Sequence, residues 1–518
     1  AMLAPRPPQP QLLQHEHVAH GAPLPPCVAS QIPVLDSNVL RLVLMLLESE
    51  SLQHVPLYVV GGYVRDLLLD EVPHDLDLVI CLRGCSEHIT LPWLLDKLPS
   101  FVAEHENMGI VKVRIGQIFS NKANVFVEFL DAQGGKVEVD IVPTTGGADG
   151  SSEVYRQGRR TLVPNLRGTL EQDISRRDLT ITALYMQVSR DVNLCNADLT
   201  YQLIDLCGGL GDLRNAILRP VHPPGYDLAR LAEHESTEGF HKLAIALGID
   251  QLPEEDKLQS LWWAKVLVGD PVRMLRAVRM AIKLRYPLSD TFWRAVPFGL
   301  NDLLFVPGDR KYGELEKIAG YGFQAAVRLF ELAFARSIAV AAASPMHLAP
   351  SFFGGRDRAG AVRSLCKLHK FDVQRFQSLV RELDITPPLP ATALLGFLLS
   401  AAVFAAELDG DAEPIVEFCH ACGGLCAPEL MQACGQLALE MSNMLVVEAH
   451  SPRHMDQLFA KACGLPFQDF CRHLRTWHAL SLPAATSKLP FELQKTIQSL
   501  AIAMARHVTT PEQQVELQ

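Results

Sequence analysis

Between residues 57 and 142 the chain alternates short apolar runs with turn residues, and from about residue 260 apolar positions recur at helical spacing. Leu57–Val60 is a continuous β-like run that ends in Gly61-Gly62. Segment 64–69 then reads as the start of a helix. Segment 75–80 opens with the polar–apolar alternation of a half-buried strand, and 111–115, 125–130 and 137–142 repeat it. Farther on, Val272, Leu275, Val278 and Ile282 fall on one helical stripe, as do Leu315 with Ile318, and Val327 with Phe330 and Phe334. No segment repeats at a fixed period. The pattern predicts an α+β architecture, with a small mixed-sheet domain over 36–221 and helices over 263–335 and 336–518. Residues 222–262, dense in His, Glu and Gly, read as an insertion. Residues 1–35, rich in Pro, His and Gln, read as a disordered tail.

Composition adjusts this picture at a few points. A chain of 518 residues exceeds what one core organises, so several domains are expected. Lys plus Arg is 47 against 58 Asp plus Glu, a net charge of −11, so any nucleic-acid surface must be a local basic patch on an acidic body. The 12 cysteines are scattered and form no disulfide framework, which points to a reducing, intracellular setting, mitochondrial or cytoplasmic. The first 35 residues show neither a secretory signal nor an Arg-rich transit pattern. The apolar run 394–406 is shorter than the roughly 20 residues that a membrane helix needs, so it reads as a buried helix and no membrane is expected. Cys419-His420-Ala421-Cys422, with Cys426 and Cys434, has partial zinc-like spacing. No second well-spaced pair accompanies it, and helix-packing cysteines fit better.

Six segments carry chemistry. The first is Gly61-Gly62-Tyr63-Val64-Arg65-Asp66, where two glycines between strand and helix let a phosphate approach the backbone. The second is Asp75-Leu76-Asp77, whose carboxylates lie two apart in a strand and so share a face. Adjacent carboxylates repel unless a cation lies between them, and Mg²⁺ takes such oxygen ligands with substrate phosphates completing its shell. Alone, that pair is equally the solvated edge of a strand. Glu138 and Asp140 share a face of a later strand and each offers a third carboxylate. Arg176-Arg177-Asp178 suits triphosphate binding, with the acid orienting a guanidinium, or is a surface ion pair at a helix start. Asp205 to Leu213, with Gly208 and Gly209, is a further glycine turn. Lastly, Asp270 and Pro271 open a helix whose Arg273 and Arg276, three apart, lie close together on its surface.

In this order, over residues 55–335, the segments resemble the class II CCA-adding tRNA nucleotidyltransferases and the bacterial-type poly(A) polymerases of the polymerase-β-like superfamily. The resemblance implies a nucleotidyltransferase head, a helical neck, and a helical body and tail that bind RNA or a partner. It implies that Gly61, Gly62 and Arg65 form a phosphate-binding turn, that Asp75 and Asp77 bind Mg²⁺, and that Asp140 rather than Glu138 is the third catalytic carboxylate. Arg176 and Asp178 correspond to residues that contact the incoming nucleotide. Gly208, Gly209 and Asp212 correspond to the head-to-neck turn, and Arg310 to Lys317, with Glu314, to a later helical motif. Asp270 and Arg273 correspond to side chains that pair with the base of CTP or ATP, while Arg276, by its spacing from Arg273, could meet a base edge or a phosphate of the nucleotide.

The chain departs from the pattern at four places. Thr182 stands where Asn is expected, Gly269 stands where a Glu is expected, no Arg follows the third carboxylate within 142–146, and 222–262 looks inserted. The expected activity is template-independent CCA addition to tRNA 3′ ends from CTP and ATP by two-metal transfer. Poly(A) synthesis from ATP is the close alternative. The departures and the acidic balance also motivate a second class: an RNA-binding subunit of a larger ribonucleoprotein with catalysis weakened.

Overall fold

The computed structural model describes residues 21–407, excluding 74, 117–124, 147–152, 157–158, 163–165, 191–198, 222–237, 304, 307, 339–345, 354–369, 383–393, 396–397, 399–400 and 403–404. The zinc-like cysteines at 419–434 and most of the expected body and tail lie outside those residues. The chain divides into two compact units. One comprises Ala1–His241, Ile249–Gly269 and Arg285–Phe292; the other comprises Lys242–Gly248, Asp270–Leu284 and Trp293–Gln518.

The first unit is built on a mixed sheet. In chain order its strands are β1 (Ala22–Pro23), β2 (Leu57–Val60), β3 (Leu76–Ile80), β4 (Lys112–Ile115), β5 (Val125–Leu130) and β6 (Lys136–Pro143). After these come β7 (Glu153–Arg156) and β8 (Arg159–Leu162), which pair only with each other, and then β9 (Tyr185–Arg190) and β10 (Leu199–Ile204). The eight strands of the main sheet run β1-β10-β9-β2-β3-β6-β5-β4. β3 and β6 are parallel, and the other neighbours in this sheet are antiparallel. All four residues of β2 are buried, as expected of a continuous apolar run covered on both faces. β5 instead alternates: Val125, Val127 and Phe129 are buried and Phe126 is exposed. The helix Val34–Ser49 packs on β6 and β9, and the helix Leu91–Glu104 packs on β4. On the face that carries the candidate site, Tyr58, Val60, Val79 and Tyr185 cluster with Ile174, Ala183, Ile204 and Val221.

Two expectations need correction. Residues 21–35 are not a structureless tail, because β1 pairs with β10 and Leu24 N–H donates to the Tyr201 carbonyl at 2.9 Å. Adding a strand through backbone groups requires no apolar period, so composition concealed it. Residues 238–262, within the stretch read as an insertion, contain the helix Glu238–Ala246 and much of the helix Glu254–Gly269. The latter buries Trp262, Trp263, Ala264, Val266 and Leu267 at nearly successive positions, which leaves no single stripe to read. The second unit is not purely helical: Ser337–Ile338 pairs with Met346–His347, and Lys370–Phe371 with Ala406–Glu407. Within 394–406, Leu394, Leu395, Leu398 and Ala401 are buried and helical. No helix among the described residues is long and apolar enough to cross a membrane.

One packing constraint is easily tested. Gly209 opens the helix Gly209–Asn215, where Asp205 accepts from the Gly209 and Leu210 amides, both at 2.9 Å. A Cβ at Gly209 would lie 2.3 Å from the Thr180 carbonyl oxygen, whereas one at Gly211 would meet nothing within 4 Å. Gly209→Ala should therefore destabilise the chain by about 2 kcal/mol, as overpacking typically does. Gly211→Ala should instead stabilise it by about 0.5 kcal/mol or more through helix propensity. Urea denaturation midpoints of the two variants check both signs.

Candidate active site

The candidate carboxylates lie on a continuous row of cross-strand neighbours. Tyr185 on β9 faces Val60 on β2, Val60 faces Asp77 on β3, Asp77 faces Asp140 on β6, and Asp140 faces Phe126 on β5. Register partners share a face, and their Cβ atoms stand roughly 5 Å apart. The row therefore brings Asp77 and Asp140 together. Asp75 immediately precedes β3 and is exposed, rather than lying inside the strand. Glu138 is exposed and pairs with Lys136 at 2.7 Å. The donor set around Asp77 and Asp140 is all carboxylate oxygen, which fits a hard divalent cation. The described residues hold no group of three or more His, Cys, Asp and Glu placed to enclose an ion, so substrate phosphate oxygens would have to complete its shell.

The glycine turn stands against this row. Gly61 has φ +75°, a backbone state that side chains with a Cβ rarely adopt. A Cβ there would meet Asp77 Oδ2 at 3.4 Å and an Arg177 guanidinium nitrogen at 3.8 Å. Backbone, carboxylate and guanidinium thus converge at one point. Arg65 is buried, and its Nε and Nη2 donate to Asp66 Oδ1 at 2.9 and 2.7 Å. Its Nη2 also lies 3.5 Å from where a Gly62 Cβ would be.

Behind the row is a buried charge cluster centred on Asp173. Arg176 Nε donates to Asp173 Oδ1 at 2.7 Å, and the Thr145 amide donates to the same oxygen at 3.0 Å. Arg177 donates to Asp173 Oδ2 at 3.4 Å and to the Tyr185 hydroxyl at 3.0 Å, while that hydroxyl donates to Asp173 Oδ2. Burial pushes the Asp173 carboxyl up, but Arg176, Arg177, the Tyr185 hydroxyl and the Thr145 amide together hold it below its ordinary value. Burial also raises the Tyr185 phenol; Arg177 opposes that rise and Asp173 adds to it. The sequence singled out the motif Arg176-Arg177-Asp178 but gave Arg177 no separate role and passed over Asp173 and Tyr185. An Arg-Arg pair three and four residues after a helical acid was the available signal. Asp178 Oδ1 accepts from the Leu179 amide at 3.0 Å and from the Thr182 hydroxyl at 2.9 Å. Thr182, at the position where Asn was expected, therefore bonds Asp178 directly.

In the second unit, Asp270 caps the helix Val272–Leu284 and Pro271 falls just before it. Asp270 Oδ1 accepts from the Val272 amide at 3.3 Å, and its Oδ2 accepts from Arg310 at 2.7 Å. Arg273, Arg276 and Arg279 form one half-buried stripe along the helix. Glu314 accepts from Arg276 Nε at 3.2 Å and from Arg279 Nε at 2.6 Å. Arg276, expected to meet a base, is thus held by an acid of the later helical motif. Asp75, Asp77, Asp140, Gly61, Gly62, Arg65, Arg176 and Asp178 belong to the first unit, and Asp270, Arg273 and Arg276 to the second.

Asp173 gives a pH-dependent prediction. Its folded pKa is depressed, so its contribution to stability is present above the unfolded value and is lost as pH falls through the folded value. Asp173→Asn should cost about 3 kcal/mol at pH 7, the scale for removing one partner from a buried charge pair. The gap between wild type and variant should close in acid, below the ordinary range of an aspartate. Denaturation at a series of pH values measures that gap.

Comparison with known proteins bears on the same segments. Residues 57–219 match the family described as the poly A polymerase head domain. Poly(A) polymerase I of Salmonella typhi is 26% identical over 276 residues, 53% of this chain and 44% of that protein. The CCA-adding enzyme of Streptococcus agalactiae is 30% identical over 265 residues, 50% of this chain and 45% of its own length. The chain thus spans less than half the length of these curated relatives. Among solved structures, a CCA-adding enzyme of Thermotoga maritima complexed with tRNA overlays with a TM-score of 0.47 at 15% identity, covering 94% of this chain and 82% of that one. Residues 57–219 thus match the poly A polymerase head domain, and the relatives that share this stretch are named both poly(A) polymerase and CCA-adding enzyme.

Proposed function

We propose that the chain transfers nucleotides from ribonucleoside triphosphates to RNA 3′ ends without a template, and that the reaction is CCA addition to tRNA. The observation that carries this reading is the register of Asp77 with Asp140 beside the Gly61 turn. Poly(A) synthesis is the second reading, favoured by the match to poly(A) polymerase I.

In this mechanism the 3′ hydroxyl oxygen of the RNA attacks the α-phosphorus. A phosphodiester bond forms, the bond to the β-phosphate oxygen breaks, and pyrophosphate leaves. Asp140 takes the hydroxyl proton. Asp75 and Asp77 would hold Mg²⁺, which when bound lowers the charge of the triphosphate and favours the ionised hydroxyl. Gly61 and Gly62 present backbone to the phosphates, while Arg65, Arg176 and Arg177 supply positive charge at that end of the row. Asp178, bridged to Thr182, orients the nucleotide. In the second unit Asp270, held by its cap bond and by Arg310, would help to read the base. Arg273 joins it, and Arg276 acts through its pairing with Glu314. We assign 36–221 to the head, 263–335 to the neck, and 336–518 to RNA or partner binding. The free Cys27, Cys81, Cys85 and Cys207 suit a reducing compartment.

The experiment supplies purified chain and Mg²⁺ with tRNA lacking its 3′ end, and CTP and ATP separately and together. CTP-dependent addition followed by A supports the CCA reading, and ATP-only extension of any RNA selects poly(A) synthesis. No incorporation of either nucleotide would sink both and leave an RNA-binding chain. Asp77→Asn should lower incorporation by about 100-fold or more, since metal charge stabilisation is worth several kcal/mol.

A further inference from the structure

One large apolar side chain of the first unit is exposed beside the candidate reacting centre. Phe126 is 45% exposed and is the register partner of Asp140. Its neighbours Val125 and Val127 are buried on the opposite face, which fixes β5 and leaves Phe126 on the carboxylate face. On the far side the next backbone is Gly116, whose N–H donates to the Phe126 carbonyl at 2.8 Å. A Cβ at Gly116 would lie 3.5 Å from Phe126 Cβ and 3.7 Å from its ring carbon Cδ1. Glycine there adds no side chain of its own to that flank of the ring.

The order of strands assigns the two substrates to opposite ends of the row. Gly61 and Arg177 approach Asp77 from the β2 and β9 side, where glycine backbone and positive charge suit a triphosphate. Phe126 lies beyond Asp140 on the other side, one strand spacing from Asp140 and two from Asp77, so about 5 and 10 Å along the sheet. Two carboxylates nearby repel a phosphate, so a neutral base face fits the ring better than the RNA backbone does. We propose that Phe126 is a stacking platform for the 3′-terminal base of the acceptor RNA. It would hold the attacking hydroxyl on the Asp140 side of the carboxylate pair. This placement rests on the transfer reading of the same site. Stacking suits a chain that receives successive RNA ends, because every base has a π face.

The test compares Phe126→Ala and Phe126→Trp with wild type. Because the ring is exposed, both variants should unfold at wild-type temperatures. A 5′-fluorescein RNA hairpin with a single-stranded 3′ end is titrated by anisotropy without nucleotide, and steady-state incorporation is measured separately. Phe126→Ala should weaken RNA binding and raise the RNA KM by about 10-fold, the scale of one lost base–aromatic stack, with the CTP and ATP KM unchanged. Phe126→Trp should restore RNA binding, and its indole fluorescence should change on adding RNA. Wild-type RNA affinity in Phe126→Ala overturns the proposal, as does a shift confined to the nucleotide KM. If wild type incorporates nothing, the transfer reading fails, and the anisotropy comparison still decides whether Phe126 grips RNA.

Discussion

The parallel pairing of β3 with β6 is the constraint on which the rest of the site depends. It sets Asp77 opposite Asp140 and, through the next strand, opposite Phe126. A slip of one residue would turn every side chain of β3 to the other face. The slip is resisted because Leu76, Leu78 and Ile80 are buried while Asp77 is only half-buried. The apolar pattern of β3 therefore holds two like charges side by side, an arrangement that is unfavourable unless positive charge is supplied. Gly61 brings its backbone up beside the Asp77 carboxylate, and its φ of +75° is a state that residues with a Cβ rarely adopt.

Positive charge reaches this point from a deeply buried source. Asp173 is fully buried and is held by Arg176, Arg177, the Tyr185 hydroxyl and the Thr145 amide. A buried carboxylate with that many partners is anchored, and it anchors them in turn. Arg177 extends from this anchor to the Gly61–Asp77 contact, so the Arg-Arg pair divides its work. Arg176 bonds Asp173, and Arg177 links Asp173 and Tyr185 to the carboxylate row. The second unit uses a similar device. Glu314 is gripped by Arg276 and Arg279, and Asp270 by Arg310, so the side chains assigned to a base are braced by the helix Gly308–Gly320.

Departures from the family pattern look different once partners are known. Thr182 lacks the amide of an Asn, yet its hydroxyl bonds Asp178. Gly269 ends a helix directly before the Asp270 cap, so that boundary is set by Asp270 itself. Neither substitution removes the acid that it neighbours.

The sequence alone determined the strand runs around Gly61-Gly62, the Asp75-x-Asp77 pair, a later strand carrying Glu138 and Asp140, the helix cap at Asp270 and the α+β class. These are properties of period and of local backbone chemistry, which a linear pattern records directly. It missed β1, β9 and β10, because pairing of strands distant in sequence depends on partners rather than on propensity. It missed the start of the helix Glu254–Gly269, because a helix without a single apolar stripe shows no period. Tertiary structure decided which carboxylates share a row, that Arg276 is occupied by Glu314, and that Arg177 and Tyr185 converge on Asp173. It also decided that Phe126 stands uncovered beside Asp140, since alternation gives the face of a strand but only the neighbouring strands reveal what lies on it.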